Sequence, residues 1–137
     1  MPLRHGLRER VELIFAPPDT LATGDNAPWI PNKLTIAYEI LGVYAVLKTA
    51  PSGLLTIDIL KATQASIDTG TPVWTTIFTT KLTVDASELS SNTAAAAAAL
   101  NGTQLWEPGD HLRVNLDSGV AAAAGLSVTT YLRARGS

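Results

Sequence analysis

The sequence predicts an all-β chain, a single antiparallel β-sandwich of jelly-roll type with about eight strands. Three observations predict it. Apolar residues alternate with polar ones over short runs, which is the period of a half-buried strand. Turn signals separate those runs, as in Ala50-Pro-Ser-Gly53 and Glu107-Pro-Gly-Asp110. No helical stretch is long enough to serve as a crossover between parallel strands, which excludes most α/β folds that bind dinucleotides or phosphates.

Each element has its own reason. In Arg10-Val-Glu-Leu-Ile-Phe15, Val11, Leu13 and Phe15 share a face opposite Glu12, and Ala16-Pro-Pro ends the strand. Asp19 to Asn32 carries three more turn signals and reads as a long connection with Leu21, Trp29 and Ile30 tucked inward. From Lys33 to Lys48 the alternation shifts near Leu41-Gly42, the mark of a bend or a bulge. Leu54 to Leu60 alternates with both faces partly apolar, as in a central strand or one covered by a neighbouring subunit. Thr63 to Pro72 reads as turn and loop. Val73 to Thr80 is packed with β-formers that continue through Lys81-Leu-Thr-Val84. His111 to Asp117 is the clearest half-buried strand, with Leu112, Val114 and Leu116 inward. Leu126 to Leu132 supplies the last strand. The expected core contains Leu13, Ile36, Ile57, Phe78, Leu112, Val114 and Val128. The expected organisation is a basic arm over 1–10, the sandwich over 11–133 and a frayed end over 134–137.

The tract Thr93 to Leu100, with six consecutive alanines, supports two readings. Alanine has the best helix propensity, and Gly102 could end a helix. Two helical turns are marginal without tertiary help, and small side chains also suit a crowded strand.

Composition narrows function by exclusion. Of the 137 residues, 46% are hydrophobic and 16% charged, and the formal net charge is −2. That charge gives little drive toward phosphates or an anionic membrane, so neither nucleic acid nor membrane is expected as a partner. Without cysteine there is no disulfide and no thiolate metal site. No apolar run is long enough to span a bilayer, and the start lacks the apolar stretch of a secretion signal. His5 and His111 are too few for a zinc or iron site, so no metal and no cofactor are expected. No nucleophile motif or glycine-rich phosphate loop occurs, and the chain is not expected to be an enzyme. Asp58, between Ile57 and Ile59, is the most interesting acid and needs a donor if buried. Hydrolysis of sugars by paired carboxylates is a remote alternative for it. Trp29, Trp74 and Trp106 read as core, as subunit interface or as a sugar-stacking platform. A charged fraction below the usual 25% or so of soluble domains suggests a surface that meets other protein.

Several stretches carry a resemblance. They are Tyr44-Ala-Val-Leu-Lys-Thr-Ala-Pro-Ser-Gly53, Leu55-Thr-Ile-Asp-Ile59 and Thr76-Ile-Phe-Thr-Thr80, then the small-residue run ending in Leu100, Leu105-Trp-Glu-Pro-Gly-Asp-His-Leu112 and Gly125-Leu-Ser-Val128. In order and spacing they resemble a small jelly-roll module of tailed-bacteriophage virion proteins, which occurs in capsid decoration (cement) proteins and in fibre or receptor-binding proteins. The chain departs from that pattern after Ile59, where Leu60-Lys-Ala-Thr-Gln-Ala replaces an Asn-Gly turn. The resemblance tips the alanine tract toward strand. It implies a structural protein on the outer surface of a capsid, with the major capsid protein and further copies of itself, as a homotrimer, for partners. The alternative is a fibre module that contacts a host glycan or protein. The expected contact residues are Arg4, Leu7, Arg8 and Arg10 of the arm, Leu54 and Asp58 of the doubly apolar strand, and Ala94, Ala96 and Ala98.

Overall fold

A computed structural model describes residues 10–25 and 28–135. Among these, twelve strand segments follow one another: β1 (Arg10–Phe15), β2 (Gly24–Asp25), β3 (Ile30–Pro31), β4 (Tyr38–Val46), β5 (Leu55–Ala62), β6 (Thr75–Thr76), β7 (Phe78–Thr80), β8 (Leu82–Val84), β9 (Ala99–Leu100), β10 (Gln104–Trp106), β11 (His111–Ser118) and β12 (Ser127–Ala134). A five-residue helix, α1 (Gln64–Asp68), interrupts the Thr63 to Pro72 loop, with the Thr63 side chain accepting from the Ser66 N–H.

Two antiparallel sheets pack face to face. One has the order β1-β12-β4-β10, and the other runs β2-β11-β5-β6, with β3 also on β11 and β8 also on β5. The first strand pairs with the last, and the chain crosses between sheets repeatedly, as a jelly-roll sandwich requires. Inward residues of the long strands form the core: Leu55, Ile57 and Ile59 of β5, and Leu112, Val114 and Leu116 of β11. They meet Phe15, Ile40, Ala45, Val128 and Leu132 from the opposite sheet. Each fully buried aliphatic side chain contributes about 1.5–3 kcal/mol.

Ile57, Phe78, Leu112, Val114 and Val128 are buried as expected, whereas Leu13 and Ile36 are only partly buried against the core. Beside Leu13 the sandwich stays open. A cleft of about 520 Å³ there is lined by Val11, Leu13, Leu34, Tyr38 and Trp106. The bulge anticipated at Leu41-Gly42 is present: Tyr131 pairs with Gly42 and Leu132 with Ile40, leaving Leu41 unpaired between them.

Other expectations need correction. The alanine tract is neither helix nor a full strand. A 3₁₀ turn at Ser91–Thr93 leads into irregular backbone, and only Ala99–Leu100 pairs, with β7. Side-chain bonds take over from a ladder there, with Ala95 N–H donating to Asp85 and Ala96 C=O accepting from Thr83. The run from Val73 to Val84 is broken into β6, β7 and β8 because successive pieces serve β5, β9 and β5 again. Trp29 is not tucked inward but 40% exposed.

Candidate functional site

The two outer faces of the sandwich are built from the same strand geometry but differ in how many outward positions are apolar and exposed. Strand register lays out the outer face of the four-stranded sheet row by row. Val46 lies beside Ser127; Ile14, Thr129 and Tyr44 form the next row; Glu12, Tyr131 and Gly42 the next; and Arg10, Arg133 and Glu39 the last. Ile14 (55%), Val46 (41%) and Tyr131 (40%) are exposed, and Leu41 projects beside them from the bulge. Apart from Glu12, charge is confined to the last row. There Glu39 accepts from Arg133 at 2.8 Å and from Arg135 at 2.9 Å. These two bonds hold its carboxyl below the ordinary carboxylate range.

The outer face of the six-stranded sheet is polar and internally paired. Asp58 lies beside Asn115, and Asn115 beside Asp25. The Asp58 side chain is only 6% exposed, so its charge needs partners within the fold. The Thr76 hydroxyl donates to it, and the Lys81 ammonium stands 3.3 Å away. Lys81 also donates to Asp117 at 2.5 Å, and Asp117 accepts from Asn115 at 2.8 Å. The bond to Asp117 raises the Lys81 pKa above its ordinary value despite desolvation, with the Asp58 charge adding to it. One lysine therefore serves two carboxylates.

An aromatic cluster flanks this network. Trp29 meets Trp74 edge-on at 5.0 Å between centroids, and Arg113 lies over the Trp74 ring at 4.9 Å. Trp29 donates its indole N–H to Asp25, which also faces Arg113 at 4.0 Å. Trp106, by contrast, is a core residue whose indole N–H donates to the Asp110 C=O. Asp110 closes its turn by accepting from the Glu107 N–H, and burial pushes its carboxyl above the ordinary value. His111 is half-buried with Nδ1 3.0 Å from the Gly109 carbonyl.

The contact residues expected from sequence fall into separate places. Arg4, Leu7 and Arg8 lie outside the described residues. Arg10 opens β1, exposed and opposite Arg133. Leu54 is exposed just before β5, while Asp58 is enclosed by its own chain. The doubly apolar look of that strand thus has an intramolecular cause: Leu60, on the outer side, is covered in part through pairing with Thr76 and Arg113. Ala94 is half-buried; Ala96 and Ala98 are exposed, and Ala98 borders a cleft of about 290 Å³ shared with Leu41, Gly42 and Val43. The exposed set Ile14, Leu41, Val46 and Tyr131 was missed, although Ile14 stands two residues from Glu12 and so shares its outward side.

Among the described residues no group of His, Cys, Asp and Glu is arranged to hold a metal ion, and no helix is long and apolar enough to cross a membrane. No protein-family model matches the sequence, and no curated protein does. Among solved structures the chain is similar to the globular domain of zebrafish complement 1qA protein. Identity is 11%, the alignment covers 89% of this chain and 94% of that one, and the TM-score is 0.40. The fold assignment rests on the strand pairing itself. The strand pairing defines a small all-β sandwich module.

Proposed function

We propose that the chain is a non-enzymatic structural protein of a tailed-bacteriophage capsid, bound to the outer surface and stabilising the shell by bridging neighbouring major capsid subunits. The observation that supports this reading is the contrast in surface chemistry. Charges of the six-stranded face are paired within the fold, whereas Ile14, Leu41, Val46 and Tyr131 of the other sheet and a run of alanines are exposed. Such a surface suits a module that works by being covered with protein. The turn-and-strand stretches that resemble phage virion modules supply the setting. Mechanistically the stabilisation is mass action: a protein that binds only the assembled lattice favours it by an amount set by affinity and free concentration. In this reading the binding unit is a homotrimer.

A fibre or receptor-binding role is the second reading, favoured by the Trp29–Trp74–Arg113 cluster, whose half-exposed rings offer a stacking surface for a sugar. Copy number in purified particles separates the two. Stained-gel intensity comparable to that of the major capsid protein supports decoration. A minor band located at discrete appendages overturns it in favour of the fibre reading.

A further inference from the structure

The cleft beside Leu13 lies where the chain enters β1. It is lined by Val11 and Leu13 of that strand, by Leu34 of the facing loop, and by Tyr38 and Trp106 at the ends of β4 and β10. Its volume of about 520 Å³ falls within the range of about 300–1,000 Å³ that small ligands occupy. A ligand site also needs polar groups free to orient what it binds, and here they are spent. Asn32 donates to the carbonyls of Ile36 and Trp106 and accepts from the Leu34 N–H. The Trp106 indole donates to the Asp110 carbonyl. What remains is chiefly apolar wall, with Leu34 55% exposed and Lys33 at the rim.

The sequence upstream of β1 matches that wall. Val11 and Leu13 pack toward the core from odd positions, and Arg10 is exposed. Carried back at the same period, the odd positions are Leu3, His5, Leu7 and Glu9, and the even ones Arg4, Gly6 and Arg8. Both leucines thus fall on the cleft side and the arginines on the other. Glu9 shares the cleft side, where Lys33 supplies the opposite charge at the rim. Leu7 is four residues from Val11, at most about 14 Å of extended chain, so no long loop has to close. A segment tethered this closely acts at an effective concentration on the order of millimolar, which a free ligand of the same chemistry would have to exceed. We propose that residues 3–9 of this chain cover the cleft, with Leu7 packed against Leu34 and Leu13 and Glu9 facing Lys33. The segment is then a plug for its own sandwich, and its arginines stay available to a partner. This inference does not rest on the capsid reading.

The test uses the purified full chain, in which the absence of cysteine makes introduced thiols unambiguous reporters. Leu7→Cys with Leu34→Cys should oxidise to a disulfide within one chain. It should do so at least about tenfold faster than Arg8→Cys with Leu34→Cys, whose thiol at position 8 falls on the other side. Equal rates overturn the inference. A disulfide that joins two chains overturns it in favour of a second copy as the occupant. An apolar dye, anilinonaphthalene sulfonate, reads the cleft itself. Leu3→Ser with Leu7→Ser should raise its fluorescence several-fold over that of the unaltered chain, while circular dichroism shows the sandwich intact. An unaltered chain that binds the dye as strongly as this variant overturns the plug and makes the cleft an open site for small apolar anions. None of these results bears on particle copy number, so this inference and the capsid reading fail separately.

Discussion

Opposite Asn115 on one sheet lies a buried carboxylate with two donors; opposite Tyr131 on the other lies a bare glycine. The six-stranded face spends polar residues to satisfy polar residues, and its network ties β5, β11 and the β7–β8 connection together. Among the described residues the four-stranded face has no such network outside the Glu39 row. It is held from beneath, by Phe15, Ile40, Val128 and Leu132 in the core. Outside the Glu39 row, internally paired charge and exposed apolar side chains thus lie on different sheets.

Substitutions can break that division. The largest effect is expected at Gly119, just after β11. Its φ is +83°, and an added Cβ would stand 1.9 Å from the Leu54 carbonyl oxygen. Gly119→Ala should cost roughly 3 kcal/mol or more, read as a fall in the urea midpoint. Next comes Lys81→Met, which leaves Asp58 with Thr76 alone as a donor. Full burial of a broken pair would cost about 3–5 kcal/mol, but the lysine is 41% exposed, so about 1–2 kcal/mol is expected from the same titration.

A pH series sharpens the view of the last charged row. Because Arg133 and Arg135 lower the Glu39 pKa in the fold, their stabilisation is complete above the unfolded value of 4.5 and is lost as pH falls through the lower folded value. Glu39→Gln should be less stable than the unaltered chain at neutral pH, and the two urea midpoints should converge in acid. If the gap persists unchanged in acid, the pairing is not what holds that corner. The smallest effect belongs to Gly42, which has nothing within 4 Å of an added Cβ. Gly42→Ala should alter the stability of the dilute chain by no more than about 0.5–1 kcal/mol, upward, since glycine in a strand carries an entropic cost.

Much of the architecture was legible because it depends on period. The alternation in His111 to Asp117 and the phase slip at Leu41-Gly42 are local signals, and each appears in the fold where its residues place it. The alanine tract was not legible for the opposite reason. Identical small side chains carry no period, so its path is decided by Asp85 and Thr83, which bond to it from elsewhere in the chain. Trp29 misled because a tryptophan is amphipathic: its indole N–H is satisfied at the surface by Asp25 while its ring leans on Trp74. The candidate surface was half legible. Ala98 stands out in sequence, but its place beside Leu41 and Gly42 exists only in the fold.

That position of β12 has a temporal consequence. During synthesis β1 and β4 emerge early, yet neither can complete its ladder until the last strand arrives to fill the gap between them. Pairings this distant in sequence close late and make folding slow. Before that moment Ile14, Tyr131 and Leu41 belong to no common surface. A chain that still lacks β12 therefore holds these side chains on separate strands, and the outer face of this sheet comes into being only when β12 closes the ladder.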